Sequence, residues 1–293
     1  MNEVVPHFKR YLIFEKNVTP KYVKGVLQTL ELLERETNVN TLKGYTTDTI
    51  RSFLYEMQTQ RLWSPKTLRN YRQNLKSFFD FAKRKQYIKH NPVDAIEKPK
   101  LPRHLPRCLS KQQVSRLISE LHLYEWTHSL EYHRNTAILY TFIYTGLRLS
   151  ELLQLKTHEV NFEEQSIFVS KGKGNKDRYV PIHPKLLPFL KNYCRKRSKK
   201  LKPSHYFFTS YRSEKPLTKK NMYAVFKKLS KATGYHFTPH MLRHTMAKLS
   251  LESNLNPYKL KEVLGHSNIA TTQIYMSVST ENIRKSFNKL ELL

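Results

Sequence analysis

The stretch "NPVDAIEKPKLPRHLPRCLS" (91–110) constrains this chain more than any other. Its prolines at 92, 99, 102 and 106 fix φ and remove backbone donors, so neither a helix nor a central strand can run through it. Prolines this dense stiffen a chain into extended conformers. The stretch therefore divides the 293 residues into two bodies. We read residues 1–91 as a helical domain, 92–108 as a basic, Pro-rich linker, and 109–293 as a second domain.

The first hundred residues carry helical spacing. Thr19-Pro20 is a cap followed by a proline at the first helical position, and Tyr22, Val23, Val26, Leu27, Leu30 and Leu33 then recur on one face. Thr47 to Gln60 repeats the pattern with Ile50, Phe53, Leu54 and Met57. A third helix opens at Ser64-Pro65 and runs to about Gln86, with Leu68, Tyr71, Leu75, Phe78 and Ala82 inward. Its other faces hold Lys66, Arg69, Arg72, Lys76, Lys83 and Arg84. Of these, Lys66, Arg69, Arg72 and Lys76 are candidate phosphate contacts.

The second domain mixes periods. Ser110 with Gln113 forms a capping box that opens it, and Leu109 is the hydrophobic residue before the cap. An apolar helix over Arg134–Tyr144 stops at Gly146. "SIFVS" (166–170) and "RYVPI" (178–182) read as strands of a β-hairpin whose tip, "KGKGNKD", is basic. Helices fit Lys185–Arg197, Lys219–Thr233, Pro239–Glu252, Pro257–Leu264 and Asn268–Val278, with Thr238-Pro239 and Gly265 as start and stop signals. The expected class is mainly α with a small β-sheet, an α+β fold.

Charge narrows the partner. Lys and Arg total 52 against 23 Asp and Glu, and residues 1–107 alone hold 21 against 10. Both bodies are basic, and an excess this large opposes compaction unless a polyanion binds it. Nucleic acid is the expected partner. Two cysteines give neither a metal-ligand spacing nor a disulfide framework, which fits a reducing cytoplasm. No Gly-rich nucleotide loop, apolar run of membrane length or charged-then-apolar leader is present. We expect no cofactor, metal, membrane or small-molecule substrate.

Several basic or protonatable groups sit at element edges, where core packing does not explain them. Arg148 follows "YTG"; Lys173 lies on the hairpin tip between Lys171 and Lys176; His240, Arg243 and His244 share one face of "PHMLRHTMAKLSLE"; His266 follows a helix stop; Tyr275 comes nine residues later. Two arginine forks match the non-bridging oxygens of a phosphate. A lysine can protonate a leaving alkoxide, histidines can hydrogen-bond or shuttle protons, and a tyrosine can attack. Together they suit cleavage of a phosphodiester. His240 and His244 lack the Glu of H-E-x-x-H, which argues against zinc, and we read His244 as packing or support. A metal-dependent nuclease would need a carboxylate cluster that the sequence lacks.

Four blocks, "YTGLRLSELLQLK" (144–156), "GKGNKDRYVPI" (172–182), "HMLRHT" (240–245) and "LGHSNIATTQIY" (264–275), resemble the tyrosine recombinases, or phage integrase family, in order and register. The resemblance extends over nearly the whole chain and points to the compact Xer-like or transposon-resolvase type. It implies that Arg148, Lys173, His240, Arg243 and His266 are catalytic, that Tyr275 is the nucleophile, and that Glu151 supports the site. Lys171 and Lys176 join the expected DNA contacts. It further implies a helical core-binding domain and a catalytic domain forming a C-shaped DNA clamp. The free protein would be a monomer, and a homotetramer would act on two double-stranded DNA sites through a 3′-phosphotyrosyl intermediate and a Holliday junction. Integration, excision, transposition and the resolution of dimers or cointegrates all fall within that activity, in a cytoplasmic, nucleoid-associated protein. Residues 279–293 would form an exchange helix docked on a neighbouring subunit. The alternatives are a type IB topoisomerase-like enzyme and a non-enzymatic DNA-binding protein.

Overall fold

The structure, a computed structural model, describes residues 3–102, 105–170 and 177–276. The chain divides into two compact units, residues 1–103 and 104–293.

Among the described residues, the first unit contains four α-helices: α1 (Val4–Phe14), α2 (Pro20–Thr37), α3 (Thr47–Thr59) and α4 (Pro65–Arg84). Local chemistry starts the last three. The Thr19, Thr46 and Ser64 side chains accept from the backbone N–H groups of Tyr22, Thr49 and Thr67, replacing partners that a helix start lacks. Phe8, Phe53, Phe78, Phe79 and Phe81 fill the core. Phe8 meets Phe78 edge-on, with ring centroids 5.3 Å apart.

Two expectations for this unit are corrected. Arg72 is not on the solvent face of α4. It is buried, with Nε donating to the Ile96 carbonyl at 2.8 Å and Nη2 to the Val93 carbonyl at 3.2 Å. Arg72 lies four residues after Leu68 and three before Leu75, so it belongs to the apolar stripe. The same bonds fold the start of the presumed linker back onto this unit. Val93 is fully buried in its core, and the unit continues to Arg103.

The second unit opens with α5 (Lys111–Leu123), started by the Ser110–Gln113 capping box. Then follow α6 (Ser129–Thr145), α7 (Leu149–Gln154), β1 (Val160–Asn161), β2 (Ser166–Val169), β3 (Arg178–Pro181), α8 (Leu187–Ser198), α9 (Lys219–Thr233), α10 (Pro239–Glu252), α11 (Pro257–Leu264) and α12 (Ala270–Met276). The three strands form an antiparallel sheet in the order β1-β2-β3, with Val160 opposite Ile167 and Ile167 opposite Val180. Ile167, Val169 and Val180 face the core, whereas Phe168 and Tyr179 pair on the other side at 5.1 Å. Helix α6 is buried nearly all round, polar residues such as Arg134 and Asn135 included, because α8 and α10 both pack on it. It begins five residues before the expected Arg134, since Leu130 and Glu131 are also buried. A second cluster, formed by Met246, Ala247, Leu251, Leu260, Leu264 and Tyr275, holds α10, α11 and α12 together. The hairpin tip (171–176) and the segment 279–293 lie outside the described residues.

Candidate functional site

The site forms where α6 ends. Gly146 closes that helix with φ +61°, a left-handed conformation that favours glycine. A Cβ there would meet Leu264 Cδ2 at 2.9 Å and Met246 Sδ at 3.2 Å. The turn thus brings α10 and α11 close to the start of α7.

Arg148 is the residue at the N-terminal boundary of α7. Its backbone N–H donates to Glu151 Oε2 at 2.8 Å, and its Nη1 to Glu151 Oε1 at 2.6 Å. Nη2 donates to the Gly265 carbonyl at 3.2 Å. The Glu151 side chain is largely covered and also accepts from Arg178 Nη1 at 3.1 Å and Nη2 at 2.8 Å. Burial alone would raise the Glu151 carboxyl, but the bonds from Arg178 and the Arg148 N–H overcome this and hold it at about 2. Arg178 Nε donates to the Val263 carbonyl at 2.8 Å, so one guanidinium links β3, α7 and the end of α11.

Helix α10 starts with Thr238 accepting from the Met241 N–H and Pro239 in the first turn. That start sets the face on which His240, Arg243 and His244 lie. Arg243 is 2% exposed; its Nη1 and Nη2 donate to the carbonyls of Gly146 and Leu264, both at 2.6 Å. Burial and then the charge of Arg148 lower it to about 10, so it stays a cation at neutral pH. His240 is lowered by burial, then by Arg243 and Arg148. Arg148, His240 and Arg243 line one open concavity of about 410 Å³, together with Ser150, Lys219 and Tyr223.

Tyr275, on α12, is 2% exposed and is not among the residues that line this concavity. Its hydroxyl is hydrogen-bonded to His244 Nδ1 at 2.6 Å. Burial raises this phenol, and Arg243 partly opposes the rise. The His266 ring is stacked near the Tyr275 ring at 18° and 6.4 Å, and His266 Nδ1 bonds Thr272 Oγ1 at 2.9 Å. Burial first, then His240 and Arg243, lower His244 to about 4, and burial, then Arg243 and Arg148, lower His266 to about 4, leaving both neutral at pH 7.

The structure therefore brings Arg148, Glu151, His240, Arg243, His266 and Tyr275 together. Lys171, Lys173 and Lys176 lie outside the described residues. In the first unit, Lys66 and Arg69 are exposed on α4, whereas Arg72 is turned inward. Lys76 is paired with Asp80 at 3.4 Å and with Asp94. Sequence reasoning passed over Arg178, and it read His244 as packing although this residue bonds the phenol. The spacing of His244 from His240 signals a shared face but not what that face meets. Lys219 and Tyr223 were missed too, although they lie four residues apart on a helix predicted by its cap.

Known proteins are similar to this chain along its length. The pattern of the "Phage integrase family" matches residues 107–282, and that of the "Phage integrase, N-terminal SAM-like domain" matches residues 5–86. The chain is 30% identical over 300 residues to tyrosine recombinase XerA of Pyrococcus furiosus, covering 100% of this chain and 95% of that protein. It is 32% identical over 291 residues to tyrosine recombinase XerC of Bacillus pumilus, covering 96% and 93%. The fold is that of the XerH site-specific recombinase in its post-cleavage complex with a palindromic difH substrate. That match has a TM-score of 0.78 and 20% identity, over 98% of this chain and 94% of that one.

Proposed function

The chain belongs to the phage integrase family, the tyrosine recombinases, and from that premise we propose how its residues divide the cutting and rejoining of DNA. Tyr275 attacks a backbone phosphate in line. Arg148 and Arg243 bind its non-bridging oxygens, whose charge grows in the transition state, and His240 and His266 add hydrogen bonds. Glu151 holds Arg148 in place. Lys173 protonates the departing 5′ oxygen. The 3′-phosphotyrosyl bond conserves the energy of the broken linkage, so a second 5′ hydroxyl reseals the strand without ATP.

The observation that carries this reading is the convergence of Arg148, His240 and Arg243 on one concavity, with both arginines acting electrostatically on the Tyr275 phenol. Lys66 and Arg69 add phosphate contacts from the first unit, and Lys171 and Lys176 from the hairpin tip. Four copies act on two double-stranded sites through a Holliday junction, with residues 279–293 of each docked on its neighbour.

The test starts by recovering a bound site from a random-sequence DNA library and building a nicked suicide duplex on it. Wild-type protein should give an SDS-resistant protein–DNA adduct, and Tyr275→Phe should bind the duplex equally well without forming one. An adduct from Tyr275→Phe would assign the nucleophile elsewhere.

A further inference from the structure

We propose that His244 is the general base of strand cleavage, accepting the Tyr275 proton through Nδ1 as the phenolic oxygen attacks phosphorus. This deepens the reading of Tyr275 as nucleophile and rests on it.

The geometry comes first. A general base must sit within hydrogen-bond reach of the proton it removes. Among the described residues, the hydrogen-bond partner of the Tyr275 hydroxyl is His244 Nδ1, at 2.6 Å. His240 and His266 are turned to other partners. His240 lines the concavity with Arg148 and Arg243 and packs on the His244 ring at 4.1 Å. His266 uses Nδ1 on Thr272. With the ring proton of His244 on Nε2, its Nδ1 lone pair accepts the phenol's hydrogen.

The surroundings then explain how a weak base becomes adequate. Around the pair stand His240 and Arg243 on α10, Arg148 at the start of α7, and His266 after α11. Burial, His240 and Arg243 make His244 a poor proton acceptor in the free protein, and burial keeps Tyr275 a phenol. A DNA phosphate bound by Arg148 and Arg243 brings negative charge into this group and neutralises the cations that oppose protonation of His244. Its affinity for a proton rises only when substrate is in place. The nucleophile therefore stays unreactive until a phosphate arrives.

The step balances without a further reactant. The Tyr275 O–H bond breaks and its proton bonds to His244 Nδ1. The phenolic oxygen forms a bond to phosphorus while the bond to the 5′ oxygen breaks, and that oxygen takes a proton from the general acid. Resealing reverses each transfer, and His244 returns its proton to the Tyr275 oxygen.

The test separates a base from a residue that only positions the phenol. In His244→Asn, the amide oxygen occupies nearly the place of Nδ1 and accepts the same hydrogen bond, but it does not take up a proton. Single-turnover cleavage of the nicked suicide duplex is measured for wild type, His244→Asn and His244→Ala, each with Tyr275 or with 3,5-difluorotyrosine at position 275. The fluorinated phenol is more acidic and depends less on a base. We expect His244→Asn to fall with His244→Ala to at least about 100-fold below wild type. We also expect difluorotyrosine to recover at least about tenfold of that loss in both variants. Comparing the two phenols within each variant cancels any loss of folded protein. Cleavage by His244→Asn within threefold of wild type would overturn the proposal, as would a deficit unchanged by difluorotyrosine. An adduct from Tyr275→Phe would instead overturn the nucleophile assignment, so the two failures are distinguishable.

Discussion

Glu151→Gln should remove an acid-sensitive part of this protein's stability. The Glu151 carboxylate is 7% exposed and accepts from the Arg148 N–H, from Arg148 Nη1 and from both terminal nitrogens of Arg178. Folding lowers it from 4.5 to about 2. At about 1.4 kcal/mol for each tenfold change in proton affinity, the ionised form contributes roughly 3 kcal/mol. Because the folded-state value is the lower one, that contribution is complete above pH 4.5 and fades as pH falls toward 2. Glutamine keeps the shape but carries no charge, leaving the Arg148 and Arg178 guanidiniums facing a neutral amide. Urea unfolding of wild type and variant at several pH values, followed by a probe in the second unit, measures the gap. It should be roughly 3 kcal/mol at pH 7 and shrink steadily below pH 4.5. A gap that stays constant down to pH 3 would refute the electrostatic account and leave a packing effect in its place.

Arg72→Met should destabilise the first unit by about 3 kcal/mol, because two carbonyls lose a buried charged donor. DNA affinity measured well below the melting transition should change little, and a large loss of affinity without loss of stability would restore Arg72 as a phosphate ligand. Lys66→Ala with Arg69→Ala should lower the log–log salt slope of DNA binding by about 2, measured by fluorescence anisotropy at several ionic strengths. Gly146→Ala should cost about 2 kcal/mol or more in thermal unfolding, since it meets both a left-handed backbone and the 2.9 Å approach to Leu264. An unchanged melting temperature would refute that.

Features encoded within a few residues of chain were readable in advance. Thr19-Pro20, Ser64-Pro65, Ser110 with Gln113, and Thr238-Pro239 each start a helix at the expected place, because a cap is satisfied by its own next turn. The strands around "SIFV" and "RYVP" pair as their alternation required, with Ile167 opposite Val180. Strand β1 has two residues, too few for any period to register. Arg148 and Arg243 stood out because a cation at a helix edge needs an explanation. Their partners did not, since Gly146, Leu264 and Gly265 contribute carbonyl oxygens, which every residue has. Arg72 was misread by residue type alone: its place in the heptad-like spacing of α4 points inward, and only the carbonyls of Val93 and Ile96 make that position tolerable. His244 and Tyr275 are 31 residues apart, and no local pattern announces their bond.

The guanidinium of Arg178 has a consequence for anyone reshaping this protein. It grips Glu151 with two nitrogens and the Val263 carbonyl with the third, from the first residue of β3. Strand β3 is thereby bolted to the carboxylate that hydrogen-bonds Arg148 and to the end of α11, just ahead of His266. Grafting the hairpin of a relative into this chain is therefore modular only up to residue 177. A graft that stops there leaves the bolt in place, whereas one that replaces Arg178 loosens three elements at once, however well the new tip suits its DNA.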